Sequence, residues 1–198
     1  GIDRVALVSD MMAAAGMLDE STRGTYTQLA PAVFILPYFL FSSIAGQFAE
    51  RTEKSKLIRI TTAMEIAIMS LAAVGFLLQD MRVLLFALFA TGVQSTLLGT
   101  VKYSIMHSVL KPEELTGGNG LVEMGTSISI LIGMIVGMLL LMIPGYGPQA
   151  AAIAMIALAV TGHLVSRAIP TAPAIEPGLK INPNLFAESL HVLRLVRS

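Results

Sequence analysis

Hydrophobic and polar positions along this chain alternate on the scale of whole segments: long apolar runs are parted by short charged or turn-forming clusters. Residues 26–49 are apolar apart from small or uncharged polar side chains. They include Pro31 and Pro37, which membrane helices tolerate because neighbouring groups take up the freed backbone bonds. The cluster Glu50-Arg51-Thr52-Glu53-Lys54-Ser55-Lys56 ends this run, and residues 57–78 form the next, with a single acid, Glu65. Gln79-Asp80-Met81-Arg82 turns the chain into residues 83–107, which contain Lys102. Lys111-Pro112-Glu113-Glu114-Leu115-Thr116-Gly117-Gly118-Asn119 mixes charge with turn formers and is expected to be a loop. Residues 120–143 follow, then the turn Pro144-Gly145-Tyr146-Gly147-Pro148, then residues 149–169. Each of these five runs is long enough, at about 20 residues, to cross a bilayer core as a helix.

The two ends read differently. Residues 5–18 are apolar but interrupted by Ser9 and Asp10, and they fall short of the ~20 residues that a full crossing needs. They are read as the later part of a first membrane helix whose start is missing. Pro170, Pro173, Pro177 and Pro183 break up a polar stretch that reads as a linker. Within it, residues 184–196 place apolar side chains at rough helical spacing, with Arg194 and Arg197 on the polar side, as an amphipathic helix would. The expected fold is therefore all-α: an integral membrane bundle of about six transmembrane helices over residues 1–169, followed by a linker over residues 170–198.

Composition sharpens this picture. Only 13% of the residues are charged and 55% are hydrophobic, against roughly 25% charged in ordinary soluble domains. Thirteen basic and thirteen acidic side chains cancel, so no basic excess exists to hold nucleic acid, and none is expected as a partner. Cysteine is absent, which removes disulfides, thiolate metal sites and cysteine nucleophiles together. With scattered histidines and no tight carboxylate cluster, neither a metal site nor an acid/base pair can be assembled, and no cofactor and no enzymatic activity are expected.

Charges inside a span cost a few kcal/mol each on insertion scales and usually face a cavity, a partner or another helix. Glu65, Lys102 and Glu123 qualify. Lys102 lies late in the fourth predicted span and Glu123 early in the fifth, at comparable distances from the loop that joins them, so the two can pair. Thr91, Ser95, Gly99 and Lys102 on the fourth span, and Asn119, Glu123 and Ser127 on the fifth, recur at helical spacing as polar stripes, and Gln94, beside Ser95, is a further candidate for the cavity. These stripes are either two walls of a water-accessible path or a structural ion pair with Lys102 reaching to the interface. Gly133-Met134-Ile135-Val136-Gly137 is a G-x-x-x-G pattern, which favours close helix approach. Gly117-Gly118-Asn119-Gly120 lacks the Lys-Ser/Thr and the preceding strand of a phosphate cradle.

Gly46-Gln47-Phe48-Ala49-Glu50-Arg51, followed by Lys54 and Lys56, resembles the signature between the second and third helices of major facilitators, with Glu50 in place of the usual Asp. In that reading Gly46 lets the helix end approach its neighbour, while Glu50 and the bases latch that side of the membrane. Three further stretches are similar to the lysophospholipid transporter family, including its acyltransferase-fused members: Phe34 to Ser42, Val101-Lys102-Tyr103, and Gly117-Gly118-Asn119-Gly120-Leu121-Val122-Glu123. The resemblance spans about Leu29 to Ile169 and implies a flippase-like carrier. Such a carrier brings lysophospholipid, typically lysophosphatidylethanolamine, to the cytoplasmic face of the inner membrane for reacylation. It also places Lys102 and Glu123 in the polar cavity. One half lacks the opposing cavity wall, so the resemblance implies a second six-helix half as a partner, alongside membrane lipid and an acyltransferase domain. Competing expectations are a facilitator for another amphiphile or a drug, and a membrane scaffold for a fused acyltransferase.

Lys and Arg concentrate in the loop at Arg51, Lys54 and Lys56, in the loop at Lys111, and beyond Arg167; the other side offers Arg23 and Arg82. Because cytoplasmic loops hold the basic excess, both termini are expected in the cytoplasm. Single cysteines at Thr52 and Tyr146 are therefore expected to react with an impermeant thiol reagent from opposite sides of the membrane. Labelling of both from one side would refute this topology.

Overall fold

The computed structural model describes the backbone of residues 20–174 and residue 178, and the side chains in that range from Leu29 onward. The predicted first span and the amphipathic stretch at residues 184–196 lie outside the described residues. Within them the chain forms five long helices: α1 (Glu20–Arg51), α2 (Lys54–Leu78), α3 (Met81–Val109), α4 (Leu115–Leu141) and α5 (Gly147–Ser166). All five have the length and apolar character of membrane spans. Helices suit this setting because hydrocarbon offers no hydrogen-bond partners, so each backbone N–H must find a carbonyl within its own segment.

The turns are tight and each has a local cause. Gln79 closes α2 in the left-handed conformation at φ 53°, its N–H returned to the last turn. Asp80 then caps α3, its carboxylate accepting from the Arg82 N–H at 2.8 Å. Between α3 and α4, Pro112–Glu114 forms one 3-10 turn in which the Glu114 carboxylate accepts from the Lys111 N–H at 3.1 Å. That turn runs directly into α4, so Thr116 to Asn119, expected in a loop, are helical. A turn former is only a weak helix breaker when the alternative is an unpaired backbone at the membrane boundary. Pro148 falls in the first turn of α5, where its missing N–H costs nothing.

Small residues let the helices pack closely. α1 packs against α3 through Ala30, Phe34 and Leu88. Gly92 is the point of closest approach, where a Cβ would lie 2.6 Å from the Phe34 carbonyl oxygen and 2.9 Å from Pro37 Cγ. α2 lies between α3 and α5, and Phe76, Leu84 and Ala151 join the three near the end where the α2–α3 and α4–α5 turns lie. At the other, basic end, Ala49, Leu57, Ile58 and Val101 form a third cluster, capped by Ile169. Across the α2–α5 seam, Thr62 Oγ1 meets His163 Nδ1 and Ser166 Oγ, each at 3.1 Å. His163 is thus a satisfied structural histidine, as is His107, whose Nδ1 meets its own helix at the Tyr103 carbonyl.

α4 is the exception. It is the most apolar of the five helices, yet none of its residues is buried among the described residues. At Gly133 of the G-x-x-x-G pattern, a Cβ would meet nothing within 4 Å among the described residues. A Cβ at Gly46 likewise would meet nothing within 4 Å among the described residues. Glycine permits approach; which glycine is used depends on where a neighbouring backbone lies.

Gly92→Leu is expected to force α1 and α3 apart and to destabilise the bundle by about 1–3 kcal/mol, the usual cost of overpacking a close contact. Gly46→Ala, with open space around it, is expected to change stability little. Thermal unfolding of the two variants in the same detergent measures the difference.

Candidate functional site

Two features stand out within the bundle: a polar cluster where α3 meets α4, and an apolar groove nearer the opposite end. The cluster follows from the antiparallel turn between these helices. Lys102 and Glu123 lie at similar distances from it, on facing sides, and the Lys102 ammonium sits 3.1 Å from Glu123 Oε1. It also donates to Thr126 Oγ1 at 3.1 Å. The phenol of Tyr103 donates to the same Glu123 oxygen, and the Tyr103 ring centroid lies 5.2 Å from the Lys102 ammonium. Glu123 thus accepts from two side chains of one helix. The Lys102 side chain is 28% exposed and that of Glu123 54%, so the pair is not sealed inside the described bundle. An ammonium and a carboxylate side by side, with a phenol and a hydroxyl attached, offer partners for both poles of a zwitterion.

The other candidate residues of the two helices do not gather at this point. Gln94 is buried between α3 and α2 and donates to the Thr61 carbonyl at 3.4 Å. Ser95 is partly buried. Asn119 is partly buried, and its Oδ1 finds no hydrogen-bond partner among the described residues. Thr91 faces the apolar groove, well away from Lys102. Conversely, sequence reasoning passed over Tyr103 and Thr126 as partners. Tyr103 adjoins Lys102, and Thr126 stands three residues beyond Glu123, one helical turn, so spacing carried a signal for both.

The groove has a volume of about 630 Å³ and is bounded by α2, α3, α4 and α5, with Phe34 of α1 at its edge. Its lining is apolar apart from Glu65, Thr91 and Ser129, and it includes neither Lys102 nor Glu123. Glu65 is therefore placed on the groove, away from the ion pair.

Glu50 and Arg51 are exposed at the end of α1, and the acid that makes a contact here is Glu53, which accepts from Ser55 Oγ at 2.7 Å. Lys54 is fully buried, and its ammonium donates to Ser108 Oγ at the end of α3. Its backbone N–H, free at a helix start, donates to the Ala172 carbonyl at 3.0 Å. Arg59 Nη2 reaches the carbonyls of Ile169 at 3.2 Å and Arg167 at 3.4 Å. Lys54 and Arg59 thereby strap residues 167–172 across the basic end of the bundle.

Comparison with known proteins bears on this arrangement. The family model of the Major Facilitator Superfamily matches residues 6–196. This chain belongs to the major facilitator superfamily. The facilitator is also similar to "Lysophospholipid transporter LplT" of Serratia proteamaculans (strain 568), with 26% identity over 156 residues, 79% of this chain and 37% of the relative. The chain therefore spans well under half the length of that relative. No solved structure matches. With its five membrane-length helices, the facilitator is a multi-pass membrane protein.

The strap yields a prediction that does not depend on substrate. Arg59→Ala removes two carbonyl contacts from a charged donor. Hydrogen bonds to charged groups contribute about 1.5–3 kcal/mol. Protease cleavage between residues 167 and 174 is expected to accelerate by about tenfold, the equivalent of 1.4 kcal/mol. Cleavage sites mapped by mass spectrometry over time check it.

Proposed function

We propose that the facilitator carries lysophospholipid across the membrane, toward the side on which reacylation takes place, and that it does so as one half of a carrier. The observation that supports this most directly is the Lys102–Glu123 ion pair with Tyr103 and Thr126 attached. An intramembrane pair of this kind is costly to maintain and marks a substrate path more often than not. The similar transporter named for lysophospholipid supports the substrate class.

A lysophosphatidylethanolamine headgroup carries a phosphate and an ammonium. On binding, the phosphate takes Lys102 and the ammonium takes Glu123, so the internal pair is exchanged for two external ones. Neither state then holds an unpaired charge in a poorly hydrated site, where removing one partner of a buried pair costs about 3–5 kcal/mol. Because the pair is partly open in the described bundle, the cost here lies below that range. The opposing wall of the path is supplied by a second six-helix half, since facilitators are built from two such halves. An acyltransferase is the expected consumer of the product.

In the assembled carrier, reconstituted in vesicles, Lys102→Ala and Glu123→Ala are each expected to slow translocation of labelled lysophosphatidylethanolamine by about tenfold or more, about 1.4 kcal/mol in the barrier. Membrane insertion is expected to remain near normal. Unaltered transport by both variants rejects the exchange mechanism, and equal inhibition by unrelated amphiphiles in competition points to a broader drug or amphiphile carrier.

A further inference from the structure

The Lys102–Glu123 pair joins two helices that share few other contacts. No residue of α4 is buried among the described residues, and beside the connecting turn the contact is Leu110 against Gly118, where a Cβ would lie 2.3 Å from Leu110 Cδ1. Lys102 lies about 10 Å further along α3, by the rise of the helix. Opening the pair therefore removes a link between α3 and α4 at that level. A carrier that opens it in every cycle needs a second link there.

Two such links follow from where the protons lie. Thr126 Oγ1 gives its one proton to the Val122 carbonyl at 2.8 Å, so it meets the Lys102 ammonium as an acceptor. The Glu123 carboxylate has no proton to give, so the Tyr103 phenol donates to it. Both bonds cross from α3 to α4. Each charge thus has a second partner on the opposite helix, Thr126 for Lys102 and Tyr103 for Glu123. Lys102 and Tyr103 also converge on one oxygen, Glu123 Oε1, while Oε2 accepts from no group among the described residues.

We propose that Tyr103 and Thr126 are crossed anchors, positioning residues that keep α3 joined to α4 and keep both charges partnered while the Lys102–Glu123 pair is open, with Glu123 Oε2 as the acceptor for a ligand ammonium. When Lys102 turns to a phosphate it retains Thr126, and Glu123 retains Tyr103 on Oε1. The pair can then open without either charge losing its last protein partner. The use of the open state in a transport cycle rests on the exchange reading; the crossed geometry does not.

Tyr103→Phe removes the hydroxyl and keeps the ring, whose centroid lies 5.2 Å from the Lys102 ammonium. Lys102→Met opens the pair without any ligand. In the full chain, Tyr103→Phe alone is expected to lower the thermal midpoint slightly, because Glu123 keeps Lys102. In the Lys102→Met background the same substitution is expected to lower it about twice as much or more, a coupling that independent contacts do not show. Additive drops, or a smaller drop in that background, overturn the proposal.

A second measurement needs no Lys102 variant. In the assembled carrier in vesicles, with retention of labelled lysophosphatidylethanolamine confirming occupancy, amide hydrogen exchange over residues 99–106 and 119–126 is expected to stay slow in the native sequence. In Tyr103→Phe/Thr126→Val it is expected to rise about tenfold, the equivalent of one lost hydrogen bond to a charged group. Without the lipid, the two proteins are expected to exchange at similar rates. Equal rates with the lipid bound overturn the proposal. Normal transport by Lys102→Ala and Glu123→Ala, together with coupled midpoints, rejects the exchange reading and leaves the anchors supported.

Discussion

A backbone in hydrocarbon must satisfy its own hydrogen bonds, and this constraint shapes every other feature of the bundle. It forces the chain into long helices, so side chains are left only the task of deciding how helices meet. Because lipid is as apolar as leucine, burial of apolar surface contributes little between helices, and contact quality depends on small residues and occasional polar bridges. The α1–α3 seam shows the first device in Gly92 against the Phe34 carbonyl. The α2–α5 seam shows the second in Thr62, His163 and Ser166.

Polar side chains in such a bundle fall into separate roles that composition does not distinguish. Thr61, Thr96 and Ser70 return their hydroxyls to the preceding turn of their own helices, so they are satisfied locally. Gln94 reaches across a seam to a carbonyl. Lys102, Tyr103, Glu123 and Thr126 form a network in which each of the first two satisfies the carboxylate, and this network is partly open. Openness is what separates a group able to exchange partners with a ligand from one committed to holding helices together. The same distinction applies at the basic end, where the buried Lys54 ammonium is committed to Ser108 of α3 while Arg51 is exposed.

The order of spans, their approximate limits and the all-α class were legible along the chain, because membrane helices are read from length and hydropathy alone and neither depends on neighbours. The proximity of Lys102 and Glu123 was legible too, since a short turn fixes the relative depth of two antiparallel helices. Turn-rich residues 116–119 were assigned to a loop and proved helical, because local propensity is a weak prior beside the need to pair the backbone.

What tertiary structure alone decided was azimuth, the direction in which each helix face points once helices pack. Gly46, Gly92 and Gly133 are equivalent as letters, yet among the described residues only Gly92 of these three meets a neighbouring backbone. Gln94 and Lys102 are both cavity candidates on one helix, but eight residues carry them to different surroundings, one buried against α2 and one at an open ion pair. The role of Lys54 as an anchor for residues 167–172 joins positions more than a hundred residues apart, and no local pattern encodes such a contact. Sequence by itself determined the order and approximate limits of the five described spans and the depth of the charges within them. Rotation about each helix axis depends on side chains of other helices, and it was fixed only when those helices came together.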